Sequence, residues 1–397
     1  MQAGSPVPLG FGLDGPIANG LTHGGSPTSV NGRRPGMRIL VLDLGKSKSV
    51  AYTVDTATGE CGFKTVRTEP AVLGRLFAEG RPDRLVMEIG PLAGWVHDAA
   101  REAGVRQIEV ANVAHEAWRW RHTRRKTDRV DAVRLADLSA AGQLPTVHVP
   151  QAATRQWRGL IAYRARLVAR RTAVKNRIRA ILASVGEPGL TRGAGGWTQE
   201  GLASLAALAR PLTDVGPEDL WRGELALELE ALAHLEAQVA TVEAKLDTLA
   251  EVDERVARLR TIPGVGPRLA ELLVALFDDP HRFGSGRQVG SYLGLVPRQF
   301  QSGAMDRHGR ITRHGNPLAR ALLVEVAWLG LRWNGRLRAI YERVHRGSRA
   351  RRKVAIVAVA RRLAVFAWAM LRDGTTWRPE RPEEKSTHRP AEAGVLA

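Results

Sequence analysis

At 397 residues, with 44% apolar and 25% charged residues, the chain is long enough for two or three globular domains. Lys and Arg outnumber Asp and Glu by 59 to 40, and the net charge of +19 favours a polyanionic partner, of which nucleic acid is the commonest. A single cysteine, Cys61, excludes an intrachain disulfide and a cysteine-based zinc site and fits a reducing cytoplasm; no run approaches the roughly 20 apolar residues needed for a membrane span.

Residues 1–36 are rich in Gly, Pro, Ser and Asn without periodicity and read as a disordered leader. Met37 then opens "MRILVLDLG", a buried-strand signal and a candidate start of translation. The pattern predicts strands over Arg38–Leu44, Ser49–Val54 and Gly62–Thr68, then a helix over Ala71–Glu79 and a strand over Arg84–Ile89. A helix over Leu92–Ala103, a strand over Gln107–Ala111 and a long helix from about Thr127 to Ala141 follow. Such an order implies a mixed α/β sheet covered by helices on both faces. Asp43 ends the first strand and Glu88 the fourth, where ligands gather in such sheets, and "RRKTDRVDAVRLADL" puts Asp128 and Asp131 at i, i+3 on one helix face. Four converging carboxylates suit divalent-metal chemistry on phosphodiesters, with Mg2+ (or Mn2+) as a hard, oxygen-seeking ion.

Beyond residue 150 the character turns helical. "LIAYRARLVARRTAVKNRIRAIL" places Leu160, Tyr163, Leu167, Val174, Ile178 and Ile181 on one face, ringed by basic residues that include Arg170, Arg171 and Lys175. With Arg124, Arg125 and Lys126, these are candidate contacts to a phosphate backbone. In "ELALELEALAHLEAQVATVEAKLDTLAEV" the residues Leu225, Leu232, Leu235, Val239, Val242, Leu246 and Leu249 form a coiled-coil seam or an antiparallel arm, a candidate site of self-association. "TIPGVGPRLAELLVAL" is similar to a helix-hairpin-helix element, in which Gly264 and Gly266 would let backbone amides approach a phosphate.

The settings "VLDLGKSKS", "LVMEIGP" and "RRKTDRVDAVRLADL" resemble the D-E-D-D set of the RuvC-like, ribonuclease H fold domain of the DEDD transposases in the insertion-sequence one-ten family. Farther on, "YLGLVPRQFQSG" and "GRITRHGNPLARALL" resemble the second domain of the same family. The resemblance spans roughly residues 38–372 and implies a RuvC-like DEDD domain at 37–150, a basic helix and coiled-coil linker at 151–258, and a mainly α serine transposase domain at 259–372; residues 373–397 depart from the family pattern and read as a disordered tail. It further implies a DNA transposase or recombinase that uses Asp43, Glu88, Asp128 and Asp131 as magnesium ligands, works with a structured guide RNA and carries a serine nucleophile, while the apolar seam from Leu225 to Leu249 adds the expectation of a homo-oligomer, a dimer or tetramer. Ser285, Ser291 and Ser302 compete for that role; "QSG" favours Ser302, with Arg298, Arg307, Arg310 and Arg313 supplying positive charge around it. The alternative is a junction-resolving nuclease with the same carboxylates, in which metal-bound water does the cutting.

Overall fold

The computed structural model describes residues 36–112, 128–193, 195–302 and 305–378. They form two compact units that divide between Asp253 and Glu254.

The first unit opens with β1 (Arg38–Asp43), β2 (Lys48–Asp55), β3 (Cys61–Arg67), α1 (Pro70–Gly80), β4 (Arg84–Glu88), α2 (Ala93–Glu102), β5 (Gln107–Ala111) and α3 (Asp128–Ala140). These strands make one sheet in the order β3-β2-β1-β4-β5; β1, β2 and β3 are antiparallel neighbours, while β4 runs parallel to both β1 and β5. β1 is apolar on both faces because both are covered. Leu40 and Leu42 join Leu85, Met87, Leu73, Phe77 and Val96 beneath α1 and α2, and Ile39 and Val41 join Val86, Ala111, Ala132, Leu135 and Ala136 beneath α3. The edge strand β3 is exposed at all but Val66, and its Lys64 and Arg67 discourage pairing with another chain.

Next come α4 (Ala152–Ser184), α5 (Gln199–Leu208) and α6 (Leu220–Glu251). α4 and α6, each about 50 Å long by their helical rise, lie antiparallel. Arg164 pairs with Glu243 (2.6 Å), Lys175 with Glu236 (3.2 Å) and Arg177 with Glu224, so rising numbers on one helix meet falling numbers on the other. Of the seam residues, Leu225, Leu232, Leu235, Val239, Val242 and Leu246 are buried within this chain. Ile178, Leu182 and Leu205 close on Leu225 and Leu232 at the turn of the arm. Self-association through the seam is therefore corrected to an intrachain arm: the segment between α4 and α6 folds the chain back, and α4 supplies the apolar partner. One further correction concerns α4, where Ile161 is buried and Tyr163 is 38% exposed, with the Arg166 guanidinium over its ring. Because Leu235 is 4% exposed, Leu235→Glu is expected to cost the fold about 3 kcal/mol or more, as burial of an unpaired charge does; urea unfolding would measure it.

α4 is fastened to the sheet domain at its start. Arg155 donates to both Asp98 carboxylate oxygens from α4 and to the Pro150 carbonyl (2.5 Å). Burial alone would raise the Asp98 pKa, but hydrogen bonds from Arg155 and His97 hold it below the usual carboxylate range. Stability from such a depressed carboxyl is complete above its unfolded pKa and is lost as pH falls through the lower folded value. Arg155→Met should therefore cost about 1–3 kcal/mol at neutral pH, and its difference from wild type should shrink in urea melts below about pH 4.

The second unit contains α7 (Glu254–Arg260), α8 (Pro267–Phe277), α9 (Gly286–Tyr292), β6 (Pro297–Ser302), β7 (Met305–Ile311), α10 (Pro317–Trp333), α11 (Gly335–His345) and α12 (Arg352–Asp373). α8 is its core: every residue from Leu269 to Phe277 is buried, including Glu271, which Arg268 meets at 3.1 Å. α12 is long and apolar enough in composition to cross a membrane, yet more than half of that stretch is buried in the unit. After it, Trp377 packs edge-on against Phe366 and its backbone N–H donates to the Thr261 hydroxyl (2.9 Å).

Candidate active site

Asp43 and Glu88 stand at the ends of adjacent parallel strands, one step past the paired residues Leu42 and Met87. Side chains alternate along a strand, so Asp43 follows Ile39 and Val41, and Glu88 follows Val86, onto the face that α3 covers. Both carboxylates are half-buried. Gly45 sets the turn just beyond Asp43: a Cβ there would overlap the Lys48 carbonyl oxygen. The Thr68 hydroxyl donates to the Gly45 carbonyl (2.8 Å) and lies 2.7 Å from the fully buried Ser49 hydroxyl, bracing the same turn.

Polar contacts far from Asp128 and Asp131 fix the direction of α3. Arg84, at the start of β4, donates to the carbonyl (2.7 Å) and hydroxyl (3.0 Å) of Ser139, and the Ser139 hydroxyl donates to Glu109 of β5 (2.6 Å). The C-terminal end of α3, with its exposed carbonyls and negative dipole, is thus held by a cation at the opening of β4. From Ser139 back to Asp131 the helix rises about 12 Å. The helix crosses diagonally, since Arg129 near its start reaches over Phe63 of β3, 5.1 Å from the ring centre.

Asp128 begins α3, but its side chain lies outside the described part of the structure, as do residues Arg124, Arg125 and Lys126 altogether. Among the described residues, no three His, Cys, Asp or Glu side chains are grouped closely enough to hold a metal ion. The donors at this edge are nevertheless carboxylate oxygens throughout, the chemistry a hard divalent cation selects.

In the second unit Ser302 closes β6 and pairs with Met305, while residues 303 and 304 lie outside the described ones. Phe300 and Arg307, also paired, share its face of the hairpin, and Phe300 (54%) and Met305 (59%) are exposed. Arg298, Arg307, Arg310 and Arg313 are exposed on or beside the hairpin. Ser285 instead starts α9 at its N-cap position, and Ser291 lies within that helix.

The motifs around this hairpin have a structural basis that their spacing does not reveal. Gly294 (φ 66°) and Gly315 (φ 80°) have left-handed backbones in loops that interlock: a Cβ on Gly294 would overlap the His314 carbonyl oxygen, and one on Gly315 the Tyr292 carbonyl oxygen. Arg320 staples the loops by donating to the carbonyls of His314 (2.8 Å), Gly315 (3.0 Å) and Leu293 (3.3 Å), and Asn316 caps α10. Burial, followed by the nearby Arg313, pulls the Arg320 pKa below its ordinary value. The knot forms the base of the hairpin, where the Thr312 N–H donates to the Val296 carbonyl (2.9 Å). Gly315→Ala is expected to cost about 2–4 kcal/mol, combining left-handed strain with overpacking. Gly335→Ala, whose Cβ would meet nothing within 4 Å, serves as its control in thermal unfolding.

The candidate nucleic-acid contacts divide. Arg170 is exposed and Arg171 half-buried, whereas Lys175 is engaged by Glu236 and lies over the Trp197 ring at 4.9 Å. Gly264 (φ 92°) and Gly266 are exposed in the turn between α7 and α8, and Gly266 caps α8. Sequence reading missed Arg84, Glu109, Ser139 and Arg320; only Arg320 lay inside a recognisable motif.

Two family models match the chain: one of the IS110 DEDD type, described as "Transposase", over residues 41–186, and "Transposase IS116/IS110/IS902 family" over residues 256–342. A probable family 20 transposase of Pseudomonas aeruginosa is 33% identical over 259 residues, covering 64% of this chain and 74% of the relative. This chain belongs to the IS110 family of transposases. A putative transposase of Sinorhizobium fredii, y4pF/y4sB, is 30% identical over 345 residues, 86% of each chain. The transposase for insertion sequence element IS1111A of Coxiella burnetii is 33% identical over 264 residues, 64% of this chain and 68% of the relative. Both matched regions include a candidate site: Asp43, Glu88, Asp128 and Asp131 in the first, Ser302 in the second. Membership in a DEDD transposase family implies DNA as partner and a divalent metal as cofactor.

Proposed function

We propose that this IS110 transposase cuts and rejoins DNA with two separately folded sites, an acidic one at the ends of β1 and β4 and a serine at the tip of the β6–β7 hairpin. The observation that carries this reading is the placement of Asp43 and Glu88 side by side on the face that α3, the helix bearing Asp131, covers. The strand order β3-β2-β1-β4-β5, with β2 alone antiparallel to both neighbours, supports a ribonuclease H-like, RuvC-type domain. Asp43, Glu88, Asp128 and Asp131 would hold magnesium, which when bound supplies Lewis-acid stabilisation of charge on the phosphate.

Ser302 serves as nucleophile. Its oxygen attacks a DNA phosphorus, a serine–phosphate bond forms as one phosphorus–oxygen bond to the sugar breaks, and the departing sugar oxygen takes up a proton. Attack by a hydroxyl of the recombining strand then reverses the exchange and frees the serine. One phosphodiester replaces another, so no external energy source is needed. Arg298, Arg307, Arg310 and Arg313 counter phosphate charge, and the exposed turn at Gly264 and Gly266, read as a helix-hairpin-helix element, approaches the backbone at the start of α8. Arg170 and Arg171 on α4 offer a basic surface for a structured guide RNA of the element. The seam of α6 is occupied within the chain, so the homo-oligomer we propose assembles through other surfaces.

Nucleic acid co-purified with the protein tests the guide: a discrete RNA encoded beside the gene is expected, and random fragments would refute RNA guidance. Incubation of that complex with donor and target DNA, followed by sequencing of junctions, tests recombination.

A further inference from the structure

A cleft of about 580 Å3 in the second unit opens among α9, α11 and α12, and four arginines line it: Arg287, Arg343, Arg361 and Arg362. A second cleft of about 360 Å3 shares Ile340, Arg343 and Arg362 with the first and continues it to Arg336 and Phe366. Among the described residues, no carboxylate lines either cleft. Four guanidinium groups brought together repel one another in water, so a cluster of this kind is stable only with an anion nearby or with its charges well solvated.

Helix packing builds the cluster. A Cβ on Gly286 would come within 2.7 Å of Val365 Cγ1, and one on Gly290 within 3.2 Å of Arg361 Cδ. These glycines, one turn apart on α9, seat it closely on α12 and lay the Arg361 stem across α9. Arg362 is steadied differently, its guanidinium lying 5.5 Å from the centre of the Phe366 ring. All four arginines are exposed. The apolar floor is supplied by Val296, Ile340 and Val365.

Val296 gives the cleft its direction. It lines the cleft and immediately precedes β6, whose far end is Ser302. Six residues of strand span about 20 Å, the reach of a few nucleotides of extended single strand. A duplex about 20 Å across does not enter a cleft of this size, whereas one sugar–phosphate strand does. We infer that the cleft among α9, α11 and α12 binds the phosphate backbone of a single DNA strand and holds it in line with the hairpin that carries Ser302. The choice of DNA rests on the reading of Ser302 proposed above; the strand-binding chemistry rests on the arginines alone.

Fluorescence anisotropy of the full chain with a short labelled deoxythymidine oligonucleotide, across a salt series, tests this inference. The quadruple variant Arg287→Gln/Arg343→Gln/Arg361→Gln/Arg362→Gln is expected to bind at least tenfold more weakly, with a salt slope lower by about 2–3, since each lost phosphate contact removes about 0.7. The corresponding quadruple Lys variant should keep most of the slope. Arg349→Gln/Arg351→Gln, which removes exposed arginines outside the cleft, should change affinity less than threefold, and unchanged thermal unfolding would show that the Gln variant folds. Unaltered affinity and slope for the DNA strand, or a loss seen only with the matching uridine oligonucleotide, would overturn the inference. Ser302→Ala should bind the strand normally. A Gln variant that binds normally while wild type still forms a covalent DNA adduct would reject the cleft and leave the serine reading standing.

Discussion

Asp43→Asn and Glu88→Gln are each expected to lower strand cleavage by on the order of 10^3-fold, the scale of losing one preorganised electrostatic stabiliser of a transition state. Nucleic-acid binding should survive, because phosphate contacts come from Lys and Arg elsewhere. Both amides keep the size of the acid they replace, so strand ends and fold should be preserved. Asp128→Ala and Asp131→Ala should behave alike, since all four positions are proposed to serve one ion. Alanine at Ser139 separates position from chemistry: it removes the donor to Glu109 but leaves the Ser139 carbonyl to Arg84, so α3 is loosened at the end away from Asp131. That variant should lose stability by about 1–2 kcal/mol while cleaving within a few-fold of wild type. A gel assay with labelled DNA in magnesium measures both classes, and normal cleavage by any one of the four carboxylate variants would remove that residue from the site.

Ser302→Ala should have a larger effect. Removing a nucleophile in other enzymes lowers turnover by about 10^4-fold or more, and here the covalent adduct itself should vanish, because no oxygen remains to form the bond. Ser302 is exposed at the hairpin tip and contributes no buried packing, so stability and nucleic-acid binding should be unchanged. Ser285→Ala and Ser291→Ala sit at and within α9 and should be mild. Ser302→Cys should retain weak activity if the thiol is deprotonated near the surrounding arginines.

Much of the first unit was legible because its strands and helices alternate with clear apolar periods. The strand over Gln107–Ala111 agrees in both bounds, and the other elements up to α3 agree within one or two residues. Asp43 and Glu88 were readable as strand ends, but that they share one face follows only from the register of β1 with β4 and the cover of α3. What escaped reading was mostly polar. β6 and β7, "PRQFQS" and "MDRHGRI", lack a hydrophobic alternation because every described position of β6 is exposed, so a domain expected to be mainly helical contains a hairpin carrying the candidate nucleophile. The anchor of α3 joins Arg84, Glu109 and Ser139 across up to 55 positions, a distance no local pattern spans. The α6 seam was visible as a seam, but its partner was not. A heptad pattern reports that a face is apolar, and only the return of α4 and α6 as a hairpin shows that the same chain covers it.

The most direct measurement is peptide mapping by mass spectrometry of the covalent species trapped on a DNA substrate nicked to prevent rejoining. The prediction is a single nucleotide adduct on the peptide containing Ser302, formed only with divalent metal and lost in Asp43→Asn. An adduct on a different residue, or cleavage with no adduct at all, would contradict the account and favour hydrolysis by water at the acidic site.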